Sequence, residues 1–186
     1  MRMTPDLKDL LNAAQGAHEH GDSAMAESLL LQALALARSR RDLASEASAT
    51  GFLAGLRIAA GHQDSGLGLL REAAALERAL GRRANLASAL AILGSYSIPD
   101  ALDAAQGFLR EALTLYREMD RPDGEARALL ALGDAARHIG DNAEARGHYL
   151  AARDALEAAE DMPDIDEAWR QRELEWLAQE LRRLDA

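Results

Sequence analysis

Residues Ala126 to Glu160 read ARALLALGDAARHIGDNAEARGHYLAARDALEAAE, and they settle the class of fold. Two amphipathic helical runs flank a tight turn at Gly140-Asp141. Leu129, Leu132, Gly133 and Ala136 share one face of the first run, and Ala145, Tyr149 and Ala152 share one face of the second. Apolar and small residues three, four and seven apart belong on one side of a helix. The unit is therefore a helical hairpin held together along a seam of small side chains.

Beyond this unit the same seam recurs. Ala14, Ala54, Gly94 and Gly133 are spaced by 40, 40 and 39, and Ala26, Gly66, Ala105 and Ala145 by 40, 39 and 40. Leu30, Leu70, Leu109 and Tyr149 follow the second pattern, as do Ala33, Ala73, Ala112 and Ala152. The single slip falls between Gly94 and Ala105, where Ser97-Ile98-Pro99 stands in place of a glycine turn. Columns that share one slip are the mark of a repeat array, in which each hairpin must be stacked on its neighbours to bury its apolar face.

Four hairpins are predicted, at about residues 4–41, 42–82, 83–121 and 122–162. Thr4 and Pro5 open the first helix as cap and first helical residue, and that helix runs to His20. The remaining helices are expected near Ser23–Arg40, Leu43–Ala60, Asp64–Leu80, Ala84–Tyr96, Asp100–Met119, Gly124–Ile139 and Asn142–Glu160. Asp141 with Glu144 has capping-box spacing, and Gly61, Gly81 and Gly140 sit where helices stop. Residues 163–186 form a ninth helix of the same domain, from Asp164 to Leu184, with Asp164 and Glu167 capping its start. Its stripe of Ile165, Trp169, Trp176, Leu177, Leu181 and Leu184 holds both tryptophans of the chain. The stripe covers the open end of the array, or else it pairs with a second copy.

Composition agrees with an all-α reading. Of 186 residues 48% are hydrophobic but only 4% aromatic, so Ala and Leu build the core and the sheet-forming residues are scarce. The net charge of −10 opposes nonspecific binding to nucleic acid and docking on an anionic membrane. Lys8 is the only lysine, a bias of coding rather than of chemistry. Without cysteine there are no disulfides and no thiol nucleophile. No signal-peptide core and no membrane-length apolar run occur, so a cytoplasmic protein is expected.

The small-residue columns and turns resemble the tetratricopeptide repeat (TPR) family. The fourth hairpin carries the pattern in Leu129, Leu132-Gly133, Ala145, Tyr149 and Ala152, and the third in Leu90, Leu93-Gly94, Ala105, Leu109 and Ala112. The first two have Ala13-Ala14 and Leu53-Ala54 for Leu-Gly, and the usual first-helix aromatic is replaced by Ala17, Arg57, Ser97 and Ala136. The resemblance extends to Met162. The ordinary repeat has about 34 residues; the longer form here is similar to repeats of large bacterial transcriptional activators and of Pins-type adaptors. HEAT repeats share the length but fit the columns less well.

The resemblance implies a right-handed superhelix whose first helices line a concave groove for a peptide or helical segment of a protein partner. Carried over by register, the groove positions are Lys8, Leu11, Gln15 and His18, then Ser48, Gly51, Gly55 and Ile58. Ser88, Ala91 and Ser95 follow, then Arg127, Leu130, Asp134 and Arg137. Gly51 and Gly55 cost about 1 kcal/mol each relative to alanine in mid-helix, so either a ligand or a neighbouring helix should come close. The Lys/Asn clamp with which some TPR domains hold a terminal carboxylate is missing, since those positions hold Leu11, Gln15, Gly55 and Arg127. Arg127 and Arg137 could hold an acidic group, or simply pair with Asp134 and its neighbours.

Chemistry is hard to place elsewhere. His18 and His20 are two residues apart and point to different helix faces, and His62, His138 and His148 have no carboxylate at ligand spacing. Asp161, Asp164, Asp166 and Glu167 lack the spacing and central glycine of a calcium loop and suit a helix N-terminus. No phosphate-binding glycine loop or nucleophile elbow is present. Arg38, Arg78 and Arg117 recur at intervals of 40 and 39, near helix C-termini where a cation complements the dipole. A noncatalytic scaffold with no metal and no cofactor is expected; the alternative is a self-associating module, such as a homodimer, that uses the C-terminal helix or an open end of the array, and a small-ligand sensor or enzyme comes last.

Overall fold

The structure is a computed structural model that describes residues 6–160, 162–163 and 165–185. Among the described residues there are nine helices and no strand. They are α1 (Leu7–Glu19), α2 (Ser23–Arg40), α3 (Leu43–Ala59), α4 (Gln63–Ala79) and α5 (Arg83–Ser97). Then come α6 (Leu102–Glu118), α7 (Pro122–His138), α8 (Asn142–Ala158) and α9 (Glu167–Leu184). None of the described helices is long and apolar enough to cross a membrane. The chain packs as two compact units, Met1–Ala89 and Leu90–Ala186, so the unit boundary falls inside α5.

The helix ends follow local chemistry. Asp22, Asp42, Asp141 and Asp166 each accept a hydrogen bond from the backbone N–H three residues on, satisfying donors that the first turn leaves open. Asp6 caps α1 through the N–H of Leu7 at 2.8 Å, and the expected Thr4-Pro5 start lies outside the described residues. Helix α9 begins later than expected: Asp166 is its cap, with the Trp169 N–H at 3.1 Å, while Asp164 lies outside the described residues. Gly21, Gly61, Gly81 and Gly140 take the left-handed backbone that ends a helix, as do Arg41 (φ 56°) and Asp120 (φ 53°) at equivalent turns.

In the N-terminal unit, α1, α2 and α3 bury Leu10, Ala14, Leu30, Ala33, Leu34 and Leu53 together. Helix α4 closes on α3 through Gly66, whose absent side chain leaves room for Ile58; a Cβ there would lie 2.5 Å from Ile58 Cγ1. Arg38 donates to Glu46 of α3 at 2.8 Å and also bonds Glu72 of α4. That part of the arginine series thus ties helices to one another.

In the C-terminal unit the same seam is closed by large residues seated on glycine. Leu109 of α6 lies on Gly94 of α5, and Tyr149 of α8 lies on Gly133 of α7. A Cβ at either glycine would meet those side chains at 2.4 and 2.3 Å. This is the physical meaning of the Leu-Gly column: the first helix gives up a side chain so that the second can approach. Arg117 donates to Glu125 of α7 at 2.7 Å, repeating the Arg38–Glu46 link eight residues apart.

Helix α9 completes this unit. Buried Arg170 grips Glu167 with two bonds of 2.8 and 2.7 Å and points Nη1 at the Leu156 carbonyl near the end of α8. At the other end, Arg146 of α8 donates to Asp185 at 2.8 Å. Arg127 and Arg137 of α7 meet Trp169 and Glu180 in the same order along the chain. Hence α9 runs antiparallel to α8 and parallel to α7, in the direction that the first helix of a further hairpin would take.

Candidate functional site

The expected groove residues of the N-terminal unit stand on α1 and α3. Lys8 lines an open cleft of about 430 Å³ with Leu11, Asn12 and Ser45, near the Asp6–Arg40 ion pair. Gln15 is exposed and donates to Glu19 at 2.8 Å. His18 is exposed and meets the Phe52 ring edge to face at 5.5 Å. Ile58 is half-buried against Gly66, a packing role. Gly51 has one ordinary neighbour for an added Cβ, Ala73 at 3.8 Å, and Gly55 has none within 4 Å. Close helix packing therefore does not explain the glycine at position 55.

The C-terminal unit gathers its expected residues more tightly. Ser95 and Ile98 at the end of α5, Leu130, Ala131 and Asp134 on α7, and Trp169 and Glu173 on α9 surround a cleft of about 230 Å³. Arg127 also lines it, with its guanidinium carbon 4.1 Å from the centre of the Trp169 ring. A guanidinium over an indole is held by the ring's negative face.

Behind the cleft lies a polar network. Tyr149, fully buried, donates its hydroxyl to Asp134 Oδ1 at 2.6 Å. Its ring meets Trp176 edge to face at 5.5 Å. Arg137 lies near the Tyr149 oxygen and donates to Glu180 at 2.7 Å. Glu180, whose side chain is only 5% exposed, also takes Arg183. Burial pushes the Tyr149 phenol well above its usual range; the Asp134 carboxylate raises it further and the Arg137 guanidinium opposes in part. At the start of α9, the Arg170 and Gln171 bonds hold the exposed Glu167 carboxyl down to about 2.

The expected residues Ser95, Arg127, Leu130 and Asp134 are thus brought to one cleft, while Arg137 sits behind it in an ion pair. Sequence reading missed Glu173 and Glu180. Both fall on the Trp169/Trp176 side of α9, four and eleven residues after Trp169, and helical spacing alone could have found them. Reading the stripe for apolar residues only passed over them.

No protein-family model matches the chain, and no curated protein matches it. Solved structures do. BtubC (BKLC) from P. vanneervenii superposes with a TM-score of 0.77 over 96% of this chain and 75% of its own, at 19% identity. The nearly identical TPR-like repeats of a Podosopora anserina protein described as a kinesin light chain give 0.69 over 97% and 95%, at 16% identity. A single-substitution variant of those repeats gives 0.72 over 95% and 87%, at 17% identity. At these identities the likeness is one of fold: the chain is an all-helical, TPR-like repeat protein.

Proposed function

We propose that the chain is a noncatalytic scaffold that holds a peptide or helical segment of a protein partner on its first-helix faces. The observation that carries this reading is the cleft bounded by α5, α7 and α9, where an apolar floor (Leu130, Ile98, Ala131) lies under one guanidinium and two carboxylates. Such a surface suits a side chain of a protein better than a reaction, because the buried tyrosine hydroxyl already has its partner. The TPR-like fold supports protein partners in general. We also read the repeats as the long form, a reading that the starts of α3, α5 and α7 at Leu43, Arg83 and Pro122 support. The array is assigned to residues 4–162, with 163–186 as its cap. Both tryptophans of α9 are engaged by α7 and α8, which favours the cap over a free dimer face.

Affinity capture with wild-type chain and a Ser95→Trp variant tests the reading. Ser95 is exposed at the rim, and its hydroxyl bonds only its own helix at Ala91, so a bulky residue there fills the cleft without disturbing α9. A protein held by wild type and lost by the variant is the expected result. Equal capture by both would move the site elsewhere, and capture of the chain by itself alone would make it a self-associating module.

A further inference from the structure

We infer that the cleft of the C-terminal unit takes a partner segment that presents a lysine or arginine beside an apolar residue; this rests on the scaffold reading above. The charges in the cleft are unequally engaged. Arg127 lies on the Trp169 ring, and Arg137, outside the lining, is committed to Glu180. Arg127 keeps its N–H edge in that seat, but it is the one cation of the lining among the described residues. The carboxylates outnumber it two to one. Asp134 is exposed, and taking the Tyr149 hydroxyl on Oδ1 leaves it acceptor capacity for a further donor. Glu173 is half-buried in the cleft wall and makes no hydrogen bond or ion pair among the described residues.

A carboxylate that is partly withdrawn from water and lacks a donor loses hydration without recompense, and a cationic donor restores it. Two carboxylates against one guanidinium leave the lining at −1, inside a chain of −10. The long-range field therefore also draws a cation. The floor selects what carries it. Leu130, Ile98 and the Trp169 indole suit the methylene stem of lysine or arginine. Ile92 and Tyr96 of α5, 39% and 41% exposed, stand one helical turn apart beside Ser95 and offer a seat for an apolar neighbour.

The test selects a display library of random twelve-residue peptides on the full-length chain, then measures synthetic copies of the winners through tryptophan emission. Enriched peptides are expected to carry Lys or Arg within four positions of an apolar residue. Glu173→Gln should weaken them roughly tenfold to a hundredfold, as loss of one charge-assisted bond does. Glu175→Gln, the same change of charge on an exposed position of α9 outside the lining, should weaken them by less than about twofold. Equal losses in the two variants would mean unspecific attraction to an acidic chain and overturn the inference. Winners that are acidic, and that lose affinity in Arg127→Gln rather than Glu173→Gln, would overturn it while leaving the scaffold reading intact. A wild-type dimer dissolved by Glu173→Gln would assign the cleft to a second copy and overturn it too. No enrichment at all would overturn both readings.

Discussion

Replacing Gly133 by alanine and Gly55 by alanine is the same chemical change in the middle of a first helix, and the structure assigns the two opposite signs. Alanine favours a helix interior by about 1 kcal/mol over glycine. At Gly55 nothing lies within 4 Å of the added methyl, so that gain stands alone. At Gly133 the methyl would meet Tyr149 Cε1 at 2.3 Å and Cδ1 at 2.6 Å. The ring has no free direction: it is fully buried, its hydroxyl is held by Asp134, and Trp176 stands on its edge. Overpacking costs about 1–3 kcal/mol, and expelling a buried aromatic about 3–5. Because the ring cannot yield in place, it must leave its seat, so after the propensity gain Gly133→Ala should lose about 2–4 kcal/mol and Gly55→Ala should gain about 1. In a chain of this size each kcal/mol moves Tm by roughly 2–4 °C. Urea unfolding followed by helix circular dichroism reads both variants. Tryptophan emission reads the C-terminal unit separately, since both tryptophans lie there. A Gly133→Ala protein within about 0.5 kcal/mol of wild type would refute the claim that the Leu-Gly column exists to seat the second helix.

Other perturbations test the remaining contacts. The Tyr149 phenol is raised in the folded state, so its contribution is complete below pH ~10 and fades as pH rises from there. Between about pH 10 and 12, wild-type stability should fall more steeply than that of Tyr149→Phe, by up to roughly 1.4 kcal/mol per pH unit; equal slopes in urea titrations would contradict this. Arg127→Glu/Arg137→Glu should loosen α9 by about 1–3 kcal/mol, because it strips the cation from Trp169 and sets a carboxylate against Glu180. Red-shifted emission is the expected sign, and unchanged spectra and stability would count against it. Removing residues after Met162 exposes what Leu177, Leu181 and Trp176 cover, a loss of roughly 5 kcal/mol or more. If light scattering instead showed a dimer becoming an equally stable monomer, α9 would be a dimer contact. Arg41→Gly should raise stability by about 1 kcal/mol, since Arg41 holds φ 56° where glycine rests without a Cβ penalty; a lower Tm would oppose that.

Most of the helices could be read from the sequence because their causes are local. Apolar spacing, aspartate caps and turn glycines act within a few residues, and α2 falls at Ser23–Arg40 as the pattern predicts. The Leu-Gly column was equally legible, and its glycine at 133 has a geometric reason in Tyr149. The partners of Arg127 and Arg137 were not legible. Their chemistry allowed an acidic ligand or pairing with Asp134 and its neighbours, and periodicity does not rank these.

Residue order alone therefore specifies the repeat: long helical hairpins, stacked by small-residue seams, ending in a helix that carries both tryptophans. Packing in three dimensions decides which charges are taken up within the fold. Helix α9 runs alongside α7, takes Arg137 into an ion pair and Arg127 onto an indole, and leaves Glu173 in the cleft wall without a donor among the described residues. The physical reason is distance along the chain. A helix is specified by bonds four residues apart, whereas the contacts that settle this cleft join Arg127 to Trp169 and Arg137 to Glu180, and exist only once α9 has docked.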